Sequence, residues 1–116
     1  MTASPDCPDD AEFSITWTRR YPSAAIQHLI QLYVTLETIV RFRSIGTPLI
    51  AFANPQDMVC DFRVTQRNVS AMPCAELQSV TDTVATHAIT GRLCSPGSVK
   101  RIVEDSVRFL REHVLA

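Results

Sequence analysis

The middle of the chain alternates apolar, β-favouring runs with turn signals. The runs are Val34–Phe42, Leu49–Ala53 and Met58–Val64, and the breaks fall at residues 44–48 and 54–57. Both breaks contain Pro, together with Gly or Asn. Short runs rich in β-branched and aromatic residues, separated by such residues, are typical of strands joined by turns. The pattern therefore predicts a three-stranded antiparallel meander.

The first of these runs also fits a helix. Apolar residues continue at helical spacing through Leu36, Ile39 and Val40, which would give one helix from Ser23 to Ser44 ended by Gly46. Against this, β-branched residues lose rotamer freedom in a helix and pack well on a pleated surface. We predict a strand, with Ile39 as an apolar residue on its polar face. The continuous helix is the alternative.

Regular spacing predicts four further elements. Apolar residues at every second position of 13–17 indicate a half-buried strand. Pro22 suits the first turn of a helix that continues to about Tyr33. A second helix is predicted for 73–91. The last helix is predicted for 99–114, with an apolar stripe facing the core; the stripe consists of Val99, Ile102, Val103, Val107, Leu110 and Val114.

These elements give the order β-α-β-β-β-α-α and an α+β fold class. A small antiparallel sheet of about four strands, with helices packed on one face, is the two-layer arrangement that buries their apolar sides. The other sheet face can remain in water. A helix before a three-stranded meander resembles the layout of bacterial secretion chaperones and other dimeric adaptor modules, without a shared motif. Residues 1–11 are predicted to be a disordered acidic tail, and residues 12–116 a single domain.

Composition restricts the class of protein. At 116 residues the chain has room for one domain, and its 46% hydrophobic content is ordinary for a soluble protein. No apolar stretch reaches the roughly 18 residues of a membrane span, and the acidic N-terminus lacks the apolar segment of a secretory signal. We therefore expect a cytoplasmic protein without a membrane partner.

The sequence contains no familiar catalytic or metal-binding motif. Its three glycines lie too far apart for a phosphate-binding loop, and its four cysteines form no CxxC pair. Cys60 is predicted to be a buried thiol within a strand, and disulfides are not expected in a cytoplasmic chain. Cys74 starts a predicted helix that also carries His87, but about 20 Å would separate them. We expect no catalytic residue, no metal ligand, no cofactor and no enzymatic activity.

The predicted outward sheet face suggests a function. It combines apolar anchors with charges, and its residues are Tyr33, Ile39, Arg41, Arg43, Val59, Asp61 and Arg63. Such a face favours a protein-interaction or adaptor module, chaperone-like or an assembly subunit, that associates with itself as a homodimer. One alternative is a nucleic-acid-associated protein that uses the arginines of this face. Another is a small-molecule-binding protein or enzyme with a pocket between sheet and helices.

Overall fold

A computed structural model describes residues 22–115. The predicted tail at 1–11 and the predicted strand at 13–17 lie outside the described residues. The described residues fall into two compact units, 22–41 and 42–115. Each unit is considered by itself.

The first unit consists of one helix, α1, from Ser23 to Ile39. The strand predicted from Val34 is therefore wrong, and the helical alternative is correct as far as Ile39. Two threonines show how β-branched residues are accommodated here. The Thr35 and Thr38 hydroxyls donate to the carbonyl oxygens four residues earlier, at 2.8 and 3.1 Å, which gives each threonine a local partner within the helix.

The second unit is built on a β-α-β segment. Strand β1 (Leu49–Ala53) leads through a loop into helix α2 (Phe62–Ser70), and strand β2 (Ala75–Ser79) follows. The strands pair in parallel, from Leu49 opposite Ala75 to Ala53 opposite Ser79. Helix α3 (Val99–His113) comes last, and short 3-10 turns occupy Phe42–Ser44 and Pro96–Ser98. Parallel strands need a crossover connection of this kind, and α2 supplies it.

The predicted fold class is therefore wrong. In the described part of the chain, three helices accompany a single sheet of two parallel strands, not about four antiparallel ones. Leu49–Ala53 is a strand as predicted, but it has no meander partner. The likeness to the layout of secretion chaperones depended on that meander and does not hold.

The predicted strand Met58–Val64 is a loop followed by the first turn of α2. The Asp61 carboxylate accepts hydrogen bonds from the backbone N–H groups of Arg63 and Val64, at 2.8 and 3.4 Å. An aspartate in this position caps a helix by satisfying donors that have no partner within the helix. The capping interaction prevails over the alternation of apolar and polar residues.

The helix predicted for 73–91 is also wrong. Its first part is strand β2, and the rest, up to the turn at Pro96–Ser98, is irregular in the structure. Leu77, which falls within the predicted helix, lies opposite Ala51 of β1. The backbone groups on one edge of this strand find their partners on β1. Gly91, predicted to end the helix, does adopt a positive φ of 103°, but within a loop.

The last helix is confirmed, although its buried face differs from the predicted one. Phe109 is buried, whereas Val103, Val107 and Leu110 of the predicted stripe are exposed. Helix α3 packs on β1, and α2 packs on both strands. The apolar side chains that the described structure buries are Val69, Met72, Val80, Ala85 and Phe109. All of them lie in the second unit.

Two arginines of α3 hold this helix to β2. Arg108 Nη2 donates to Glu76 Oε1 at 2.7 Å, and Arg101 Nη2 donates to the carbonyl oxygen of Ser79 at 3.0 Å. Arg101 also pairs with Asp82 at 3.2 Å. Both arginines therefore fix α3 against β2 and the residues that follow it.

Candidate functional site

Two loops meet where the parallel strands end. Residues 54–61 follow the carboxyl end of β1, and residues 80–95 follow the carboxyl end of β2. Because β1 and β2 are parallel, both loops begin at the same edge of the sheet. In open α/β sheets this is the edge at which ligands bind. We call this region the carboxyl edge.

Asn54 joins the two loops. Its side chain is 2% exposed, and its Nδ2 donates to Thr83 Oγ1 at 2.9 Å. The side-chain Oδ1 of Asn54 accepts from the backbone N–H of Gln56 at 2.8 Å. The backbone carbonyl oxygen of Asn54 accepts from the backbone N–H of Asp57 at 3.1 Å. One buried amide thus fixes the turn after β1 and attaches it to the loop after β2.

Two buried serines fix the second loop. The Ser95 hydroxyl donates to the carbonyl oxygen of Ala88 at 2.8 Å and accepts from the N–H of Ala85 at 3.4 Å. The Ser98 hydroxyl bonds to the carbonyl oxygens of Ile89 and Ser95. These contacts hold residues 85–89 in place without regular secondary structure, and His87 lies in the middle of that stretch.

Asp57, Cys60 and His87 come together at the carboxyl edge. His87 Nδ1 lies 3.0 Å from Asp57 Oδ2. Asp57 Oδ1 accepts from the backbone N–H groups of Val59 at 2.7 Å and Cys60 at 3.1 Å. One donor atom from each of the three side chains lies within 4.8 Å of the other two. We call this group the Asp57–Cys60–His87 cluster.

The surroundings determine the charge state of the cluster. Desolvation by burial acts to raise the pKa of Asp57, but hydrogen bonds from His87 and from the N–H groups of Val59 and Cys60 outweigh it and lower that pKa. Cys60 is exposed as a residue, yet desolvation of its thiol and then the charge of Asp57 raise its pKa. The cluster by itself therefore holds a carboxylate beside a neutral thiol, which disfavours a free thiolate nucleophile.

A surface depression of about 630 Å³ opens beside the cluster. Its lining includes Asp57 and Cys60 of the cluster, and Val59, Asp61 and Arg63 of the same loop and the start of α2. The depression leaves room for a small molecule or for water next to the thiol.

The seven residues predicted for an interaction face do not share a sheet face. Tyr33, Ile39 and Arg41 belong to the first unit, and Arg43 lies in the first 3-10 turn. Val59, Asp61 and Arg63 line the depression. The structure therefore brings the last three together, and whether any of the seven binds a partner stays a prediction.

The sequence did not indicate the cluster. The sequence predicts His87 on a helix with Cys74 and Asp57 in a turn. The one available signal was positional, since Asp57 follows the short apolar run Leu49–Ala53, whereas the strand before His87 is not apolar. Cys60 was predicted to be buried and is exposed. The expectation of no disulfide is wrong at Cys94, which is disulfide-bonded, while Cys60 and Cys74 are free thiols.

Helix α1 is a second candidate surface. The structure buries none of its side chains. Its large apolar side chains are between 41% and 69% exposed, and they are Ile26, Leu29, Ile30, Leu32, Tyr33, Val34, Leu36 and Ile39. Glu37 is the one acidic or basic residue of the helix besides His28. Between residues 22 and 115, no helix is both long and apolar enough to cross a bilayer.

Comparison of the chain with protein families, curated proteins and solved structures gave no match.

Proposed function

We propose that the protein is an interaction module that self-associates into a homodimer through α1 and serves as an adaptor or assembly subunit. The observation that carries this proposal is the set of eight exposed, large apolar side chains on one 17-residue helix. A broad apolar face on a helix normally packs against another surface. Contiguous apolar surface of this kind is typical of sites of protein association.

The charge of α1 favours a second copy of the chain as the partner. A hetero-partner is usually selected by complementary charges that flank an apolar seam. Helix α1 has a single carboxylate, Glu37, and no lysine or arginine. Two copies can therefore pair along their apolar sides with little charge repulsion, and each buried Å² of apolar surface contributes about 25 cal/mol. At 1.5 Å per residue, the helix offers about 25 Å of length for this contact.

Sedimentation of the full chain tests this proposal. The wild type should be a dimer at micromolar concentration. Leu29→Glu should raise the dimer dissociation constant at least tenfold, because a carboxylate without a partner is costly to bury in an apolar contact. Val84→Glu is the matched control, since Val84 is an apolar residue that is 82% exposed but lies outside α1. The control should remain dimeric.

Two results would refute the proposal. The first is a wild type that stays monomeric at every accessible concentration. The second is a dimer that Leu29→Glu and Ile30→Glu leave unchanged. If Val84→Glu weakened the dimer and the α1 substitutions did not, the interface would lie outside α1.

Two observations favour the interaction module over the alternative functions. Arg63, one of the arginines proposed to bind nucleic acid, lies on α2 two residues after the carboxylate of Asp61. The depression at the carboxyl edge is formed by a loop and α2, so it is not the pocket between sheet and helices that the second alternative required.

A cytoplasmic location is part of the proposal, and the cysteines bear on it in opposite ways. The free thiols of Cys60 and Cys74 suit a reducing compartment. The disulfide at Cys94 counts against it, because such bonds are rare in the cytosol. Rapid alkylation of thiols in intact cells would decide, since a reduced Cys94 is expected in the cytosol and an oxidised one outside it.

A further inference from the structure

We propose that Asp57, Cys60 and His87 bind one zinc ion at the carboxyl edge, with a fourth coordination position open to the neighbouring depression. This site is independent of the proposed self-association, because it lies wholly in the second unit.

The three side chains are the ligand types that zinc prefers. Zinc in proteins is bound by cysteine sulfur, histidine nitrogen and carboxylate oxygen. Magnesium and calcium favour sites made only of oxygen, whereas a thiolate and an imidazole select softer metals. One side chain of each type is present in the cluster, and zinc binding releases the Cys60 thiol proton to solvent so that the sulfur ligates as thiolate. The donor set thus favours zinc over the hard divalent cations.

The distances are close to those of a tetrahedral site. Zinc bonds of about 2.0 to 2.3 Å place two ligand atoms roughly 3.5 Å apart. The donor atoms of the cluster lie within 4.8 Å of one another, and His87 Nδ1 and Asp57 Oδ2 lie 3.0 Å apart. A movement of about an ångström by the Cys60 side chain, which is exposed and can turn, is enough to close the site.

The groups around the cluster hold its ligands in position. Asp57 Oδ1 is occupied by the N–H groups of Val59 and Cys60, so Oδ2 is the oxygen that points to His87. The loop that carries His87 is fixed by Ser95 and by the contact between Asn54 and Thr83. Supporting contacts of this type orient metal ligands and strengthen their binding.

Three protein ligands leave one position of the tetrahedron for water or a small ligand. Structural zinc sites usually have four protein ligands, whereas sites that act on ligands keep one position open. Asp57 and Cys60 also line the depression of about 630 Å³. The open position therefore faces a space that a small donor molecule can enter.

Cobalt(II) replaces zinc as a spectroscopic reporter in the first test. Titration of the full chain with cobalt should reach one equivalent and produce a thiolate-to-cobalt charge-transfer band, which zinc then removes. Cys60→Ser should abolish this band. Cys74→Ser is the matched control, since Cys74 is the other exposed free thiol, and it should keep the band. Asp57→Asn and His87→Gln should weaken zinc binding at least tenfold.

A second measurement uses the unmodified chain, so that it does not depend on the folding of a variant. Zinc should protect Cys60 from alkylation while Cys74 reacts at its usual rate, as mass spectrometry of the peptides would show. Equal reaction of both thiols in saturating zinc would overturn the proposal, as would a charge-transfer band that survives in Cys60→Ser. Leu29→Glu should leave zinc binding unchanged, which separates this result from the test of self-association.

Discussion

Phe109 and Leu110 are neighbours on α3 that differ in burial, and this difference gives a quantitative test of the fold. Phe109 is 4% exposed, whereas Leu110 is 47% exposed. The ring centroids of Phe109 and His113 lie 4.6 Å apart. Phe109→Ala should lower the free energy of unfolding by about 3 to 5 kcal/mol, as for other buried phenylalanines. Leu110→Ala should cost about 1 kcal/mol, because full burial of a leucine is worth about 1.5 to 3 kcal/mol and half of this side chain already faces water.

The two substitutions form a matched pair. Both place Ala one residue apart near the end of the same helix, so the gains in helix propensity differ by less than about 0.5 kcal/mol. Urea unfolding, followed by circular dichroism at about 222 nm, measures the midpoint of each variant. If the slope of the free energy with urea is unchanged, the free energies of unfolding can be compared. Equal costs, or a larger cost for Leu110, would show that α3 turns its other face to the core, as its apolar stripe had predicted.

Two further predictions concern the sheet and its carboxyl edge. A hydrogen bond from Arg108 is the largest cause that lowers the pKa of Glu76. The stability that the Glu76 carboxylate contributes is therefore present above the pKa of Glu76 in the unfolded chain, and it is lost as the pH falls through the lower pKa of Glu76 in the folded protein. The difference in unfolding free energy between the wild type and Glu76→Gln should therefore shrink in urea titrations below about pH 4, and a difference that grows there would contradict this. Asn54→Ala should cost about 1 to 3 kcal/mol in thermal unfolding, because it leaves buried polar groups without partners. Gln56→Ala, which keeps the backbone donor, should change stability by less than about 0.5 kcal/mol, and equal effects would refute the role of Asn54.

The elements that local sequence determines could be predicted. The strand Leu49–Ala53, the helix beginning at Ser23 and the last helix are all present. Each has a clear boundary signal, such as Pro before the helix or Pro and Asn on either side of the strand. For α3, a regular stripe did not identify the buried face, because that face includes the partly buried Asp105 and Ser106.

The remaining errors arose where a tertiary contact or a cap decided the outcome. Asp61 caps α2 and converts an alternating segment into a helix. Residues 75–79 pair with β1, a partner that lies far away in sequence. The Asp57–Cys60–His87 cluster depends on both events, because the first sets the loop that carries Asp57 and the second brings His87 to the same edge. No spacing within a short window contains that information.

The parallel pairing of β1 and β2 also determines when the cluster can form during folding. Parallel strands cannot meet through a tight turn, so residues 54–74 must close as a loop before the pair gains its hydrogen bonds. The loop that carries His87 can reach Asp57 only after this step. The cluster should therefore be among the last parts of the second unit to assemble. A metal ion bound to the cluster would stabilise the folded protein. It would not accelerate the early folding steps, because the cluster forms only after them.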